Sequence, residues 1–205
     1  TDAGCVFQSS FVHELMEPFN ANDDIEVVYG VVLPDAKSLF EKCVVTATFP
    51  VVFVPSVACM ALKKYVWERV GGYPETLRTA EDFVFLNKVK KAGFKTHVSS
   101  KAVVFWRPRS TMSSFFKQYY QYAKGKGQVR IDIIFHVKKI IFYLTLSLIL
   151  LLSIVSKRLI FILLFVSLFS LWNLLTIRKH YRWFSEIKFN PKTYVVLPVV
   201  IFLRD

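Results

Sequence analysis

WERVGGYPETLRTAEDFVFLNKVKKAGFKT, running from Trp67 to Thr96, holds the chain's densest arrangement of turn, charge and apolar signals. Two adjacent carboxylates, Glu81 and Asp82, stand immediately before an apolar helical run made by Phe83, Leu86 and Val89. That run stops at Gly93, a natural left-handed cap. An acid pair at the mouth of a helix suits proton-transfer chemistry. The same residues also fit a plain helix start, because Thr79-Ala80-Glu81-Asp82 resembles a cap in which acids satisfy free backbone N–H groups and the helix dipole. Upstream, Gly71-Gly72 ends a helical stretch, and paired glycines serve equally as a cap or as a place where backbone approaches a ligand closely.

Composition narrows the classes. The chain has 205 residues, 54% of them hydrophobic, too apolar for an ordinary soluble domain of this size. Its formal charge of +12 is unevenly placed: residues 1–100 carry 10 Lys/Arg against 12 Asp/Glu, and residues 101–205 carry 17 against 3. The excess therefore lies beside the long apolar runs, which points to anionic lipid and away from nucleic acid. Cys5, Cys43 and Cys59 form no CxxC and no His-paired spacing, so they read as reduced thiols.

Working outward, Phe11 to Phe19 reads as a short helix and Ile25 to Val32 as a strand. Pro34-Asp35 turns the chain toward a helix near Ala36–Lys42, and Val44 to Val54, β-branched and interrupted by Pro50, reads as loop and strand. Cys59 to Val70 reads as one helix. After Gly93, two short strands are expected at Lys95–Val98 and Ala102–Trp106, with His97 more plausible as a structural than as a metal-binding histidine. Ser113 to Lys126 interleaves Phe115, Phe116, Tyr119, Tyr120 and Tyr122 with lysines, the composition of a helix lying at a membrane interface.

Ile140–Ser156 and Leu159–Ile177 are uncharged runs of 17 and 19 residues. As helices at ~1.5 Å per residue they nearly match a ~30 Å hydrocarbon core. Only Lys157-Arg158 separates them, so they form a tight hairpin, and the basic flanks (Arg130, Lys138, Lys139, then Arg178, Lys179, Arg182) place both outer ends in the cytoplasm. A buried helical pair in a soluble protein is the alternative. Tyr194 to Leu203 opens a third apolar segment too short for a span.

Taken together, the motifs resemble those of family 2 glycosyltransferases. Trp67 to Glu75, then Glu81-Asp82, then Lys91 to Lys95 are similar to the acceptor-side half of that family. Thr1-Asp2-Ala3-Gly4 looks like the motif that ends its donor half. Arg107-Pro108-Arg109-Ser110, followed by Gln118 to Tyr122, is similar to the membrane-anchored branch that builds bacterial exopolysaccharides of the succinoglycan type.

The resemblance implies an α/β fold. Residues 1–110 would be a partial GT-A domain, residues 111–137 an amphipathic interfacial segment, and residues 138–205 the transmembrane hairpin plus the start of a third segment. It implies Asp82 as catalytic base with Glu81 beside it, and acceptor contacts at Gly71, Gly72 and Tyr73. Arg107, Arg109 and Gln118 would contact the nucleotide donor, although the two arginines would equally suit lipid headgroups. Asp2 would bind Mg²⁺ or Mn²⁺ bridging the donor's phosphates. Gly4 stands where a second acid is usual, and a plain turn is the competing reading of Asp2-Ala3-Gly4. A chain opening on that motif is expected to be a fragment lacking the nucleotide-binding half, and inactive by itself.

The implied activity is inverting transfer of a sugar from a nucleoside-diphosphate sugar to a hydroxyl of a growing lipid-linked glycan, in polysaccharide synthesis at the inner membrane, with the catalytic part cytoplasmic. Gln121 and Tyr122 replace the Arg and Trp of the processive relatives' Gln-x-x-Arg-Trp, which argues against a processive polymerase. Two rivals stand: a polyprenyl-phosphate glycosyltransferase, which needs no hydroxyl base, and a non-catalytic membrane protein retaining the fold.

Overall fold

The computed structural model describes residues 5–50 and 53–205. The chain divides into two compact units, Thr1–Glu41 with Val52–Ser110, and Lys42–Val51 with Thr111–Asp205. Asp2 lies outside the described residues.

The first unit is built on a sheet whose strands, among the described residues, are β1 (Cys5–Phe7), β2 (Val27–Pro34), β3 (Met60–Leu62) and β4 (Thr96–Trp106). Their order is β1-β4-β2-β3; β2 and β4 run parallel, and β1 and β3 close the edges antiparallel. The buried run Val27-Val28-Tyr29 sends alternate side chains to opposite faces of the sheet. On one face, Val28 meets Ala102 and Val104 together with Phe11 and Leu15 from α1 (Phe11–Ala21). On the other, Val27 and Tyr29 pack with Val66 of α3 (Lys64–Val70) and with Phe85 and Val89 of α4 (Glu81–Lys91). Phe85 is wholly buried, a placement that stabilises by roughly 2–3 kcal/mol relative to exposure.

Three expectations about the elements require correction. Val44 to Thr48 is helix and not strand: α2 spans Leu39–Thr48. It begins later than expected because Ser38 and Glu41 form a reciprocal capping box. Glu41 Oε2 accepts the Ser38 N–H at 2.8 Å, and Ser38 Oγ accepts the Glu41 N–H at 3.2 Å. Its β-branched content is tolerated because the Thr46 and Thr48 hydroxyls donate to the carbonyls of Lys42 and Val44, at 2.9 and 2.7 Å. Cys59 to Val70 is not one helix either. A 3-10 turn at Val57–Cys59 leads into β3, whose three residues become strand by pairing with Val27–Tyr29. Finally, Ser99-Ser100-Lys101 does not divide two strands. Pairing jumps from Tyr29↔Val98 to Val31↔Val103, so four residues of β4 oppose Gly30 alone and the strand continues through a bulge.

The second unit is helical: α5 (Met112–Gln128), α6 (Ile133–Ser156), α7 (Leu159–Lys179), α8 (Tyr181–Phe184) and α9 (Thr193–Arg204). Thr111 caps α5, its Oγ1 accepting the Ser114 N–H at 3.3 Å. α6 begins at Ile133, ahead of the expected Ile140, because Ile133 to Lys139 joins the same helix. Lys157 takes a left-handed conformation (φ 52°) and makes the tight turn into α7. α6 and α7 are long and apolar enough to cross a membrane, and only 17% and 6% of their most apolar stretches are buried. A helical pair in a soluble core would hide those faces. α9 is apolar and short.

Candidate functional site

α3 ends where Gly71 and Gly72 take left-handed backbone (φ 71° and 59°), with the N–H groups of Gly71 and Gly72 donating to the carbonyls of Glu68 and Trp67. At Gly72 a Cβ would lie 2.8 Å from the Trp67 ring, so both conformation and proximity demand glycine there. The next residue, Tyr73, joins Trp67 and Phe85 in a three-ring cluster with centroids 4.6 to 5.1 Å apart. This cluster fastens the glycine turn to α4, so the expected acceptor residues Gly71, Gly72 and Tyr73 share one local structure with the acid pair. Gly72→Ala is expected to cost about 1–2 kcal/mol and to move the Trp67 ring, read as a shift in its fluorescence together with a lowered melting temperature.

The acids open α4 in a way the cap reading does not anticipate. Ala80, not Thr79, precedes the helix; it sits in the left-handed region (φ 67°) and supplies no side-chain cap. Such a conformation costs a non-glycine residue about 1–2 kcal/mol, and strain of this kind gathers at functional sites. Asp82 is exposed, and its Oδ1 accepts the Phe83 N–H at 2.7 Å. Glu81 is half-buried, with Oε2 out of solvent and lacking a hydrogen-bond partner among the described residues. Because α4 leads through Gly93 to the start of β4, its acid-bearing end faces toward the carboxyl ends of the parallel strands, where ligands of open α/β sheets bind.

Those strand ends carry Arg107. β2 and β4 finish together, the Asp35 N–H donating to the Trp106 carbonyl at 2.8 Å. Arg107 Nε then donates to Glu41 Oε1 at 3.1 Å, while Glu41 Oε2 accepts the Lys37 and Ser38 N–H groups at 2.7 and 2.8 Å. The Glu41 side chain is 0% exposed and that of Arg107 57%, so a buried carboxylate orients a guanidinium that still faces solvent. Sequence reasoning missed Glu41, although Ser38-x-x-Glu41 was a readable signal.

Burial would raise the Glu41 pKa, but the two N–H groups and Arg107 outweigh it and hold the carboxyl below its ordinary 4.5. A group depressed on folding stabilises fully above its unfolded value and loses that contribution as pH falls through the folded one. Below about 4.5, therefore, the melting temperature should fall more steeply for the native chain than for Glu41→Gln. At neutral pH the substitution is expected to cost about 1–3 kcal/mol.

The remaining expected site residues are dispersed. Arg109 and His97 are exposed. Gln118 belongs to the helical unit, where its Nε2 donates to the Tyr122 hydroxyl at 2.9 Å. Among the described residues no three His, Cys, Asp or Glu side chains gather into a metal-binding group. The Cys43 and Cys59 thiols are buried, which pushes them up to about 12 and 11 and leaves them unreactive.

The sequence model of glycosyl transferase family 21 matches residues 36–205, which is 170 of the 205 positions. No curated protein matches the chain. The match spans the glycine turn, the acid pair, the Arg107 segment and the apolar helices, and the family it shows is 21, where the motifs by themselves resemble family 2. This is a glycosyltransferase sequence, and the chain belongs to glycosyl transferase family 21.

Proposed function

We propose that the protein transfers a sugar from a nucleoside-diphosphate sugar to a hydroxyl of a lipid-linked acceptor, with inversion, at the cytoplasmic face of the inner membrane. Production of extracellular polysaccharide is the assigned setting, and a GT-A arrangement the assigned catalytic fold. The observation that carries the reading is the pair Glu81 and Asp82, opening α4 behind a strained Ala80 and against the Trp67–Tyr73–Phe85 cluster. Asp82 is the base because it is reachable: it is exposed, with Oδ1 on a backbone N–H. The half-buried Glu81 fixes the negative character of this end.

In the reaction, Asp82 takes the proton of the acceptor hydroxyl as its oxygen bonds to the anomeric carbon. The bond from that carbon to the donor phosphate breaks on the opposite face, and the electron pair leaves with the nucleoside diphosphate. Arg107, oriented by Glu41, and Arg109 balance the charge that develops on the departing diphosphate. Mg²⁺ or Mn²⁺, held by the donor's own phosphates and Asp2, would supply further charge neutralisation.

The test is release of nucleoside diphosphate from a panel of UDP- and GDP-sugars in membranes containing the protein, any natural flanking sequence retained, with Mg²⁺ or Mn²⁺. Turnover with one donor supports the reading; no turnover with any donor or lipid acceptor leaves a membrane protein of glycosyltransferase family without this activity.

α6 and α7 cross the membrane as a hairpin, with Lys157-Arg158 outside and residues 178–192 inside. Ser156→Cys should react with an impermeant maleimide on intact cells, and Glu186→Cys only after permeabilisation. Both positions are exposed, and the buried Cys43 and Cys59 contribute little background. Labelling of Glu186→Cys from outside would invert this topology.

A further inference from the structure

The second unit contains a site that the transfer reaction does not use. A cavity of about 530 Å³ is lined by Lys126, His136, Lys139, Lys179 and Arg204, with Asp205 as the acid among them. Lys139 and Arg204 both bind Asp205 Oδ1, at 2.5 and 2.6 Å, and the three side chains are only 9%, 17% and 0% exposed. Two buried cations thus share one buried carboxylate, which also accepts from Tyr143 and Trp172 at 3.1 and 3.0 Å. The excess positive charge calls for an anion, because an unbalanced buried charge is costly. Lys126 and Lys179 add two cations without an ion-pair partner among the described residues. His136 Nε2 is buried and lacks a hydrogen-bond partner among the described residues.

A second cavity, of about 600 Å³, shares Lys139 and Asp205 with the first and is otherwise apolar except for the hydroxyls of Tyr143 and Ser147. It follows α6 from Lys139 past Tyr143 and Leu146 to Leu150, facing Phe165 and Phe169 of α7 and Phe202 of α9. The eleven helical steps from Lys139 to Leu150 rise roughly 16 Å, about the hydrocarbon depth of one leaflet. The basic cavity lies at the hairpin end opposite the Lys157-Arg158 turn, since Lys139 lies in the second turn of α6 and Lys179 closes α7.

We infer that the second unit holds one net-anionic phospholipid, its phosphate among Lys126, Lys139, Lys179 and Arg204 and an acyl chain in the groove along α6. Charge complementarity selects the headgroup, and the continuous groove selects a lipid over free phosphate. The inference rests on the membrane placement proposed above and not on the role of Asp82.

The full chain is reconstituted in nanodiscs of phosphatidylcholine alone and with a minority of phosphatidylglycerol, and the lipids it retains are counted by native mass spectrometry. One phosphatidylglycerol is expected to be retained about tenfold over phosphatidylcholine. Lys126→Gln with Lys179→Gln should abolish most of that preference, while Lys157→Gln with Arg158→Gln, which removes the same charge at the far turn, should preserve it. Equal retention of the two lipids, or equal loss in both double variants, overturns the site in favour of general surface attraction. Displacement of the lipid by inorganic phosphate overturns the lipid assignment. Failure to insert into either disc overturns the membrane placement and the lipid site with it, whereas insertion without preference overturns the site alone.

Discussion

Asp82→Asn should lower sugar transfer by about 10²–10⁴-fold, the usual worth of a positioned general base, without loss of folded protein. The substitution keeps the side chain's shape, and its amide oxygen still accepts the Phe83 N–H that Asp82 Oδ1 accepts at 2.7 Å. Because the side chain is exposed, the fold has little to lose. Glu81→Gln is the informative comparison. Its Oε2 is buried without a hydrogen-bond partner among the described residues, and an amide there adds no interaction that is lost, so the protein should stay about as stable. A smaller loss of turnover than in Asp82→Asn is expected. If both acids were merely first-turn charges favouring the helix dipole, the two variants would each cost about 0.3–1 kcal/mol in stability and leave turnover alone. Activity indifferent to Asp82→Asn would instead favour a lipid phosphate as the acceptor, which needs no base.

The largest structural effect is expected at Gly30. A Cβ there would lie 2.2 Å from Cys59 Sγ and 2.4 Å from the Ala102 carbonyl oxygen. The first neighbour could be trimmed, but the second is backbone of the strand that bulges around Gly30. Gly30→Ala should therefore cost ~3 kcal/mol or more, enough to unfold a domain of ordinary stability. Adding Cys59→Ala should not rescue it. Gly71→Ala makes the contrast: its Cβ would meet nothing within 4 Å, so only the left-handed backbone (φ 71°) is penalised, at about 1 kcal/mol. Thermal melts of the variants in detergent distinguish the two cases. Equal melting temperatures for Gly30→Ala and the native chain would mean that the β2–β4 pairing is misdescribed.

Much of the framework was legible because it is local. Phe11 to Ala21, the core of β2, the helix from Glu81 to its glycine stop, and the two apolar helices each carry their own period, cap or uninterrupted hydrophobic run. The misreadings share a cause: the deciding contact is elsewhere in the chain. Met60-Ala61-Leu62 has the composition of a helix and becomes strand because Val27–Tyr29 offers it an edge. Ser99-Ser100-Lys101 looks like a turn and becomes a bulge because Gly30 lets four residues oppose it. Val44 to Thr48 was misjudged on β-branched content, although Ser38 and Glu41 marked the true helix start.

At the candidate site, the acid pair and the glycine turn were visible as motifs, while their mutual placement came from the packing of Trp67, Tyr73 and Phe85. The left-handed Ala80 left no trace in composition. Nor could spacing indicate that Lys139 and Asp205, 66 positions apart, would meet in one buried cluster.

The most direct measurement is the anomeric configuration of the first product, followed by NMR as a donor of known configuration is consumed in membranes containing the protein. A single displacement assisted by Asp82 yields the inverted anomer as the initial product, with one nucleoside diphosphate released per sugar transferred. An initial product of retained configuration would contradict the account, because it requires a second displacement or a front-face mechanism in which Asp82 is not the base.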